Sequence, residues 1–190
     1  MNIRLSEEDP MLAYLYLIVA VAFRLVPHPA WNFTPAAAAL LFFGARATRR
    51  QMWLPVVALA ATDVLLNRFV YHAPTDISFL FTWMWYAAIV LLGNGLLGSG
   101  ALRSRGAAAR VLGASLTASL SFFLISNFFV WATGTMYARN FAGLLTCFTA
   151  AIPFFRGTLA GDLVFSAAMF GLPALVHALR RSAASPRIAA

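Results

Sequence analysis

Eight side chains able to bind a small molecule stand in or beside strongly apolar runs of this sequence. They are Trp31, Asn32, Asp63, Asn67, Trp83, Asn127, Trp131 and Arg156. Carboxylate, guanidinium and amide groups surrounded by hydrocarbon each need a partner or a water-filled cavity, so they mark candidate sites. Tryptophan rings add flat surfaces on which a ligand can stack. We therefore predict that these eight residues bind a substrate.

Each of these residues also has a simpler structural interpretation. Asp63 and Arg156 would neutralise each other in an ion pair. Arg24, close to a predicted helix end, is expected to snorkel to the membrane interface. The tryptophans suit an interfacial belt, whereas Asn127, an amide among large apolar neighbours, is expected to bond another helix or a ligand.

The composition is that of an integral membrane protein. Of 190 residues, 62% are hydrophobic and only 11% are charged, far fewer charges than soluble domains carry. The apolar runs predict an all-α polytopic fold with six transmembrane helices, at roughly residues 11–27, 35–46, 52–70, 78–98, 108–133 and 149–179. We expect residues 1–181 to form a single membrane domain and residues 182–190 a short disordered cytoplasmic tail.

The second predicted helix is short for a full crossing. It must therefore tilt or be protected by its neighbours. Its start is marked by Thr34, which can act as the cap, and by Pro35, which suits the first helical turn.

The distribution of arginine predicts the orientation. All basic residues are arginines, and nine of them lie in the second and fourth connections and the C-terminal segment: Arg46, Arg49, Arg50, Arg103, Arg105, Arg110, Arg180, Arg181 and Arg187. Only Arg68 and Arg139 lie in the opposite connections. The positive-inside rule then predicts that both termini are cytoplasmic. Arginines clustered beside apolar runs also argue against a nucleic-acid partner, despite the net charge of +8.

This orientation predicts a cavity that opens outward. From a rise of about 1.5 Å per residue, Asp63, Asn127 and Arg156 lie at a similar depth, roughly 10 Å below the outer surface. We expect these three to form a polar floor. Trp31, Asn32 and Trp83 would then lie near the mouth, with the loop "PHPAWNFTP" as a lid.

Several kinds of site are disfavoured by the sequence. The single cysteine, Cys147, excludes an internal disulfide and a multi-cysteine metal site, and the loop residues His28 and His72 are weak metal candidates. P-loop, His-Glu-x-x-His and Gly-x-Ser-x-Gly motifs are absent. We expect no metal, no cofactor and no enzymatic activity.

Asp162 lies near the predicted middle of the membrane, in "FRGTLAGDL". The spacing of Gly157 and Gly161 favours close packing of another helix, and the carboxylate is expected either to be protonated or to bond hydroxyl groups across that contact. An intramembrane enzyme would need Asp63 and Asp162, or Asp162 and a hydroxyl group, within hydrogen-bond reach. Their estimated difference in depth of about 10 Å disfavours a pair of aspartates that share a proton.

The motifs "TPAAAALLFFGA", "ATDVLLN", "SNFFVW" and "AIPFFRGTLAGDL" carry a family resemblance over roughly residues 20–175. The chain resembles the substrate-binding S-components of energy-coupling-factor vitamin transporters, and more narrowly an uncharacterised bacterial group regarded as S-component-like. One departure is that "AYLYLIVAVAF" lacks the Ala-x-x-x-Ala pattern with which S-components often dock.

The resemblance implies a multi-pass protein of the bacterial inner membrane that captures a vitamin-like molecule. Its partners would be the lipid bilayer, the small-molecule substrate, and a transmembrane coupling protein with two ATPases. The alternative is a structural or assembly protein whose polar residues only tie helices together. That alternative predicts Asp63 bonded to Arg156 and no cavity of ligand size.

Overall fold

The fold consists of six α-helices. In a computed structural model, which describes residues 10–26, 32–72, 77–98 and 100–184, the helices are α1 (Pro10–Leu25), α2 (Ala36–Arg46), α3 (Trp53–Phe69), α4 (Ser78–Leu97), α5 (Ala107–Thr133) and α6 (Phe141–Ala184). Short 3-10 turns at Arg49–Gln51 and Ala101–Arg103 follow α2 and α4. The predicted all-α class and the number of helices are confirmed.

Four of the helical segments are long and apolar enough to cross a membrane. They are Arg49–Phe69, Phe79–Leu97, Ala107–Thr133 and Phe141–Arg180, whereas Pro10–Leu25 and Ala36–Arg46 are shorter apolar helices. The chain is therefore a membrane protein.

Helix α2 lies at the centre of the bundle. Every residue from Ala36 to Ala45 is buried, and α1, α4, α5 and α6 all pack on it. With 11 residues, α2 is only about 16 Å long, which is too short to cross a membrane. The helices around it must therefore span the rest of the bilayer thickness, as predicted for a short helix that its neighbours protect.

The closest helix contact joins α2 to α4. A Cβ atom added at Gly44 would lie 2.0 Å from the carbonyl oxygen of Val90, and one added at Gly93 would lie 2.3 Å from that of Leu41. The Asn94 side-chain amide donates a hydrogen bond of 3.3 Å to the Gly44 carbonyl. Small residues thus let the two backbones touch, as is common between membrane helices.

Helix α6 is longer than predicted. It begins at Phe141, not near residue 149, because the Asn140 side chain accepts a hydrogen bond of 2.8 Å from the backbone N–H of Gly143. Pro153 and Pro173 lie inside the helix. At the other end, residues 182–184 continue α6, so that part of the predicted disordered tail is wrong, and residues 185–190 lie outside the described residues.

Contact pairs run in opposite orders along α1 and α2, along α4 and α5, and along α5 and α6, so these helices are antiparallel, whereas α2 runs parallel to α6. The connections α1–α2, α3–α4 and α5–α6 therefore share one end of the bundle. Contacts at that end join Arg24, near the end of α1, to Tyr86 in the first half of α4. The arginine-rich connections after α2 and α4 lie at the other end, where Asn94 meets Gly44.

Candidate functional site

A cavity of about 600 Å³ lies at the end of the bundle formed by the α1–α2 and α3–α4 connections. All six helices contribute residues to it, and α2 does so through its first turn. Its walls combine aromatic rings with polar and charged groups: Arg24, Asn32, Thr34, Ala36, Ala37, Asp63, Leu66, Tyr71, Phe79, Thr82, Trp85, Tyr86, Phe122, Phe154, Thr158 and Asp162.

One side of the cavity holds a hydrogen-bonded ion pair between Arg24 and Asp63. Arg24 also donates a hydrogen bond of 2.9 Å to the Tyr86 hydroxyl, which lies 3.0 Å from Asp63 Oδ2 and can donate to it. Trp83 Nε1 donates to the same carboxylate oxygen at 3.2 Å. Three hydrogen-bond donors therefore surround the Asp63 carboxylate, and the residue is only 7% exposed.

This network corrects two predictions. Asp63 pairs with Arg24, not with Arg156, because α1 and α3 pack together and bring the two side chains into contact. Arg24 does not snorkel to the interface, since its guanidinium turns inward to Asp63 and Tyr86 and only 20% of its side chain is exposed.

Asp162 lies on the opposite side of the cavity, on α6. It is 3% exposed, and Ser119 Oγ of α5 donates to its Oδ2 over 2.6 Å. One turn further on, the hydroxyl groups of Ser166 and Ser115 lie 3.3 Å apart. One of the two predicted alternatives, that the carboxylate bonds a hydroxyl group of another helix, is therefore confirmed.

Residues 32–35 fold down into the bundle and form part of the cavity wall. A Cβ atom added at Gly161 would lie 3.0 Å from the backbone nitrogen of Thr34 and 3.3 Å from the Cα of Phe33, so glycine makes room for this segment. Asn32 has a φ of 57° at the bend. Gly161 thus packs against an incoming loop, which differs from the helix contact predicted from the glycine spacing.

The start of α2 differs from the prediction. Pro35, not Thr34, occupies the N-cap position, and no side chain caps the helix. The first turn of α2 consequently meets the cavity at Ala36 and Ala37 with uncapped backbone N–H groups.

Asn127 borders a smaller cavity of about 140 Å³. That cavity shares Asn32, Phe122, Phe154 and Thr158 with the main one, so the two adjoin. The Asn127 amide donates a hydrogen bond of 2.8 Å to the Phe123 carbonyl of its own helix. The structure therefore brings Asn127 near the site, but not onto the same wall as Asp63.

The remaining predicted residues lie elsewhere. Trp131 donates a hydrogen bond of 2.9 Å to the Ala138 carbonyl and ties down the α5–α6 connection. Asn67 is buried on α3, and Arg156 is exposed on the surface of α6 and does not line the cavity. Arg156 misses the cavity because it lies about 200° around α6 from Phe154 and Thr158, which line it. Trp31, His28 and the rest of the predicted lid before Asn32 lie outside the described residues.

Arg24, Tyr86 and Asp162 line the cavity but are not among the eight residues predicted to bind a substrate. Arg24 carried a usable signal, since an arginine inside an apolar run needs a counter-charge and Asp63 is the nearest intramembrane carboxylate along the chain. No such signal marks Tyr86, because a tyrosine in the first half of a membrane helix is equally typical of an interfacial belt.

Chemically, the cavity offers hydrogen-bond groups and rings for binding. Among the described residues, no group of three or more His, Cys, Asp or Glu side chains could hold a metal ion. Asp162 and Ser119 meet the distance criterion for acid–base chemistry, yet Ser119 has no exposed surface, so a substrate cannot reach its oxygen.

No curated protein and no solved structure matches the chain. One family matches almost all of it, over residues 5–185, and is described as a family of unknown function, DUF6580. The chain belongs to this family.

Proposed function

We propose that the protein captures a small vitamin-like molecule in the cavity between Asp63 and Asp162, as the substrate-binding subunit of a bacterial micronutrient uptake system. The observation that carries this proposal is the cavity itself. Its volume of about 600 Å³ lies in the range of about 300–1,000 Å³ that is usual for ligand sites.

The lining of the cavity supports binding over a purely structural role. Ligand sites commonly combine apolar and aromatic walls with a few polar groups, and here Asn32, Thr158 and Asp162 face a space edged by Trp85 and Phe154. An assembly protein whose polar residues only tie helices together needs no such space. The Arg24–Asp63 pair does tie α1 to α3, but Asp162 lies at the cavity and has no cationic partner in the described part of the chain.

Capture also fits better than catalysis. The Ser119 hydroxyl is the group nearest to Asp162 that chemistry could use, and it is completely buried. We therefore propose a non-enzymatic binding protein of the inner membrane, with the cavity open to the outside and the arginine-rich connections in the cytoplasm. A transmembrane coupling protein and its ATPases would supply the energy.

The proposal is tested by native mass spectrometry of protein purified gently from its source membrane. The parent is compared with Thr158→Trp, which puts an indole into the cavity, and with Arg156→Ala, which alters a side chain outside it. We expect a small molecule to accompany the parent and Arg156→Ala, but not Thr158→Trp.

The same retention in Thr158→Trp as in the parent would contradict the proposal. So would a parent that neither carries a molecule nor gains one from a broad panel of vitamins. Thermal unfolding of all three proteins checks that the loss in Thr158→Trp does not come from misfolding.

A further inference from the structure

The charges around the cavity do not balance. Of the side chains that line it, Arg24, Asp63 and Asp162 are the ones that can carry a formal charge. Arg24 and Asp63 are paired with each other, which leaves Asp162 as the unmatched carboxylate. Two aspartates against one arginine give the lining a formal charge of −1 when all three are ionised.

Asp162 has spare acceptor capacity on the cavity side. It accepts a single hydrogen bond from the described residues, that of Ser119 to Oδ2, whereas Asp63 has three donors. A carboxylate has about four lone-pair sites, and a buried acceptor gains most from a charged donor. At 3% exposure the carboxylate is also far from bulk solvent, so a ligand in the cavity is its natural partner.

Flat rings form part of the wall of the same cavity. Phe79, Trp85, Phe122 and Phe154 all line the cavity. Trp85 is held by a hydrogen bond of 2.9 Å from its Nε1 to Ser121 Oγ, and it packs against Phe122 with ring centroids 4.9 Å apart. Aromatic faces attract both other rings and cations.

We propose that the ligand is a flat organic cation, namely a ring that carries a protonated amine or is itself a protonated nitrogen heterocycle. Its N–H groups donate to Asp162, and its ring packs among the aromatic walls. This inference rests on the proposed function and adds the chemical class of the substrate. It assigns to Asp162 the role of ligand-binding residue.

Three probes of one shape and different charge test this assignment: tryptamine, a cation; tryptophol, its neutral analogue; and indole-3-acetate, an anion. Their affinities for the purified protein are measured by isothermal titration calorimetry. A charge-assisted hydrogen bond is roughly twice as strong as a neutral one, so we expect tryptamine to bind at least about tenfold more tightly than tryptophol. Indole-3-acetate should bind most weakly.

Asp162→Asn keeps the size of the side chain and removes its charge. We expect this variant to bind tryptamine about tenfold more weakly, at the level of tryptophol, with tryptophol itself unchanged. In the matched control Ser119→Ala the carboxylate remains, so the preference for tryptamine should persist. Folding is followed with a thiol-reactive dye, because the single cysteine, Cys147, is 2% exposed and reacts on unfolding.

Equal affinities of the parent for tryptamine and tryptophol would overturn the inference, and so would a preference for tryptamine that survives in Asp162→Asn. The ranking of probes in the parent decides the matter even if Asp162→Asn does not fold. Thr158→Trp distinguishes a failure of this inference from a failure of the proposed function. If the parent binds all three probes equally and Thr158→Trp binds none of them, the cavity binds ligands but does not select cations.

Discussion

Arg24 of α1 and Asp63 of α3 form an ion pair, and the Tyr86 hydroxyl of α4 contacts both of them. Three helices thus meet at one group of side chains beside the cavity. Removal of one partner would leave the other charge buried and uncompensated. These side chains therefore line the cavity and also hold together the helices that form its wall.

Arg24→Gln is expected to destabilise the protein by about 3 kcal/mol, at the lower end of the range for a broken buried pair because Arg24 is 20% exposed. Unfolding by SDS in mixed micelles measures the change. Arg156→Gln is the control: this exposed residue has no ion pair among the described residues, and its replacement should change the free energy of unfolding by less than about 0.5 kcal/mol. Equal losses in the two variants would argue that the Arg24–Asp63 pair does not stabilise the fold.

A second prediction concerns the contact of α2 with α4. In Gly93→Ala the new Cβ would lie 2.3 Å from the Leu41 carbonyl oxygen, so the helices must separate, at a cost of about 2 kcal/mol or more. At Gly95, on the same helix, a Cβ meets nothing within 4 Å. Gly95→Ala should therefore be neutral or stabilising by up to about 1 kcal/mol, through helix propensity. If the same SDS titration found both variants equally stable, the close approach of α2 and α4 would be wrong.

The segment at residues 32–35 gives a third prediction. Gly161→Ala puts a methyl group 3.0 Å from the Thr34 backbone nitrogen, so this part of the cavity wall must shift. We expect the affinity for tryptamine to fall about tenfold, which corresponds to ~1.4 kcal/mol. Gly171→Ala lies on the same helix with open space around it and should bind like the parent. An unaltered affinity in Gly161→Ala would show that residues 32–35 do not shape the site.

The number and type of helices were predictable because hydrophobicity is a local property of the chain. The start of α6 was not, although its signal is present: Asn140 caps the helix well before residue 149, where the hydrophobicity pattern predicts its start. Helix caps act through a single hydrogen bond that composition does not record.

The partners of the polar residues were less predictable than their presence. Asp63 was correctly expected to need a partner, yet both Arg24 and Arg156 were available in sequence, and only packing of α1 on α3 decides between them. Likewise, residues 32–35 pack onto Gly161 and line the same cavity as Asp162, a contact between segments far apart in the chain. Tertiary contacts of this kind depend on the angles between helices, which a single sequence does not encode locally.

Thiol labelling measures whether the proposed cavity holds water and opens to the outside. In a Cys147→Ala background, Thr158→Cys puts a thiol on the cavity wall, whereas Ala160→Cys puts one on the exposed surface of the same helix. A membrane-impermeant cationic methanethiosulfonate is added to right-side-out vesicles. Thiols react as thiolates, which form in water and not in lipid, so Thr158→Cys should react much faster than Ala160→Cys. Equal rates in the two variants would show that Thr158 does not face a water-filled cavity, and labelling of Thr158→Cys in inverted vesicles alone would show that the cavity opens to the cytoplasm.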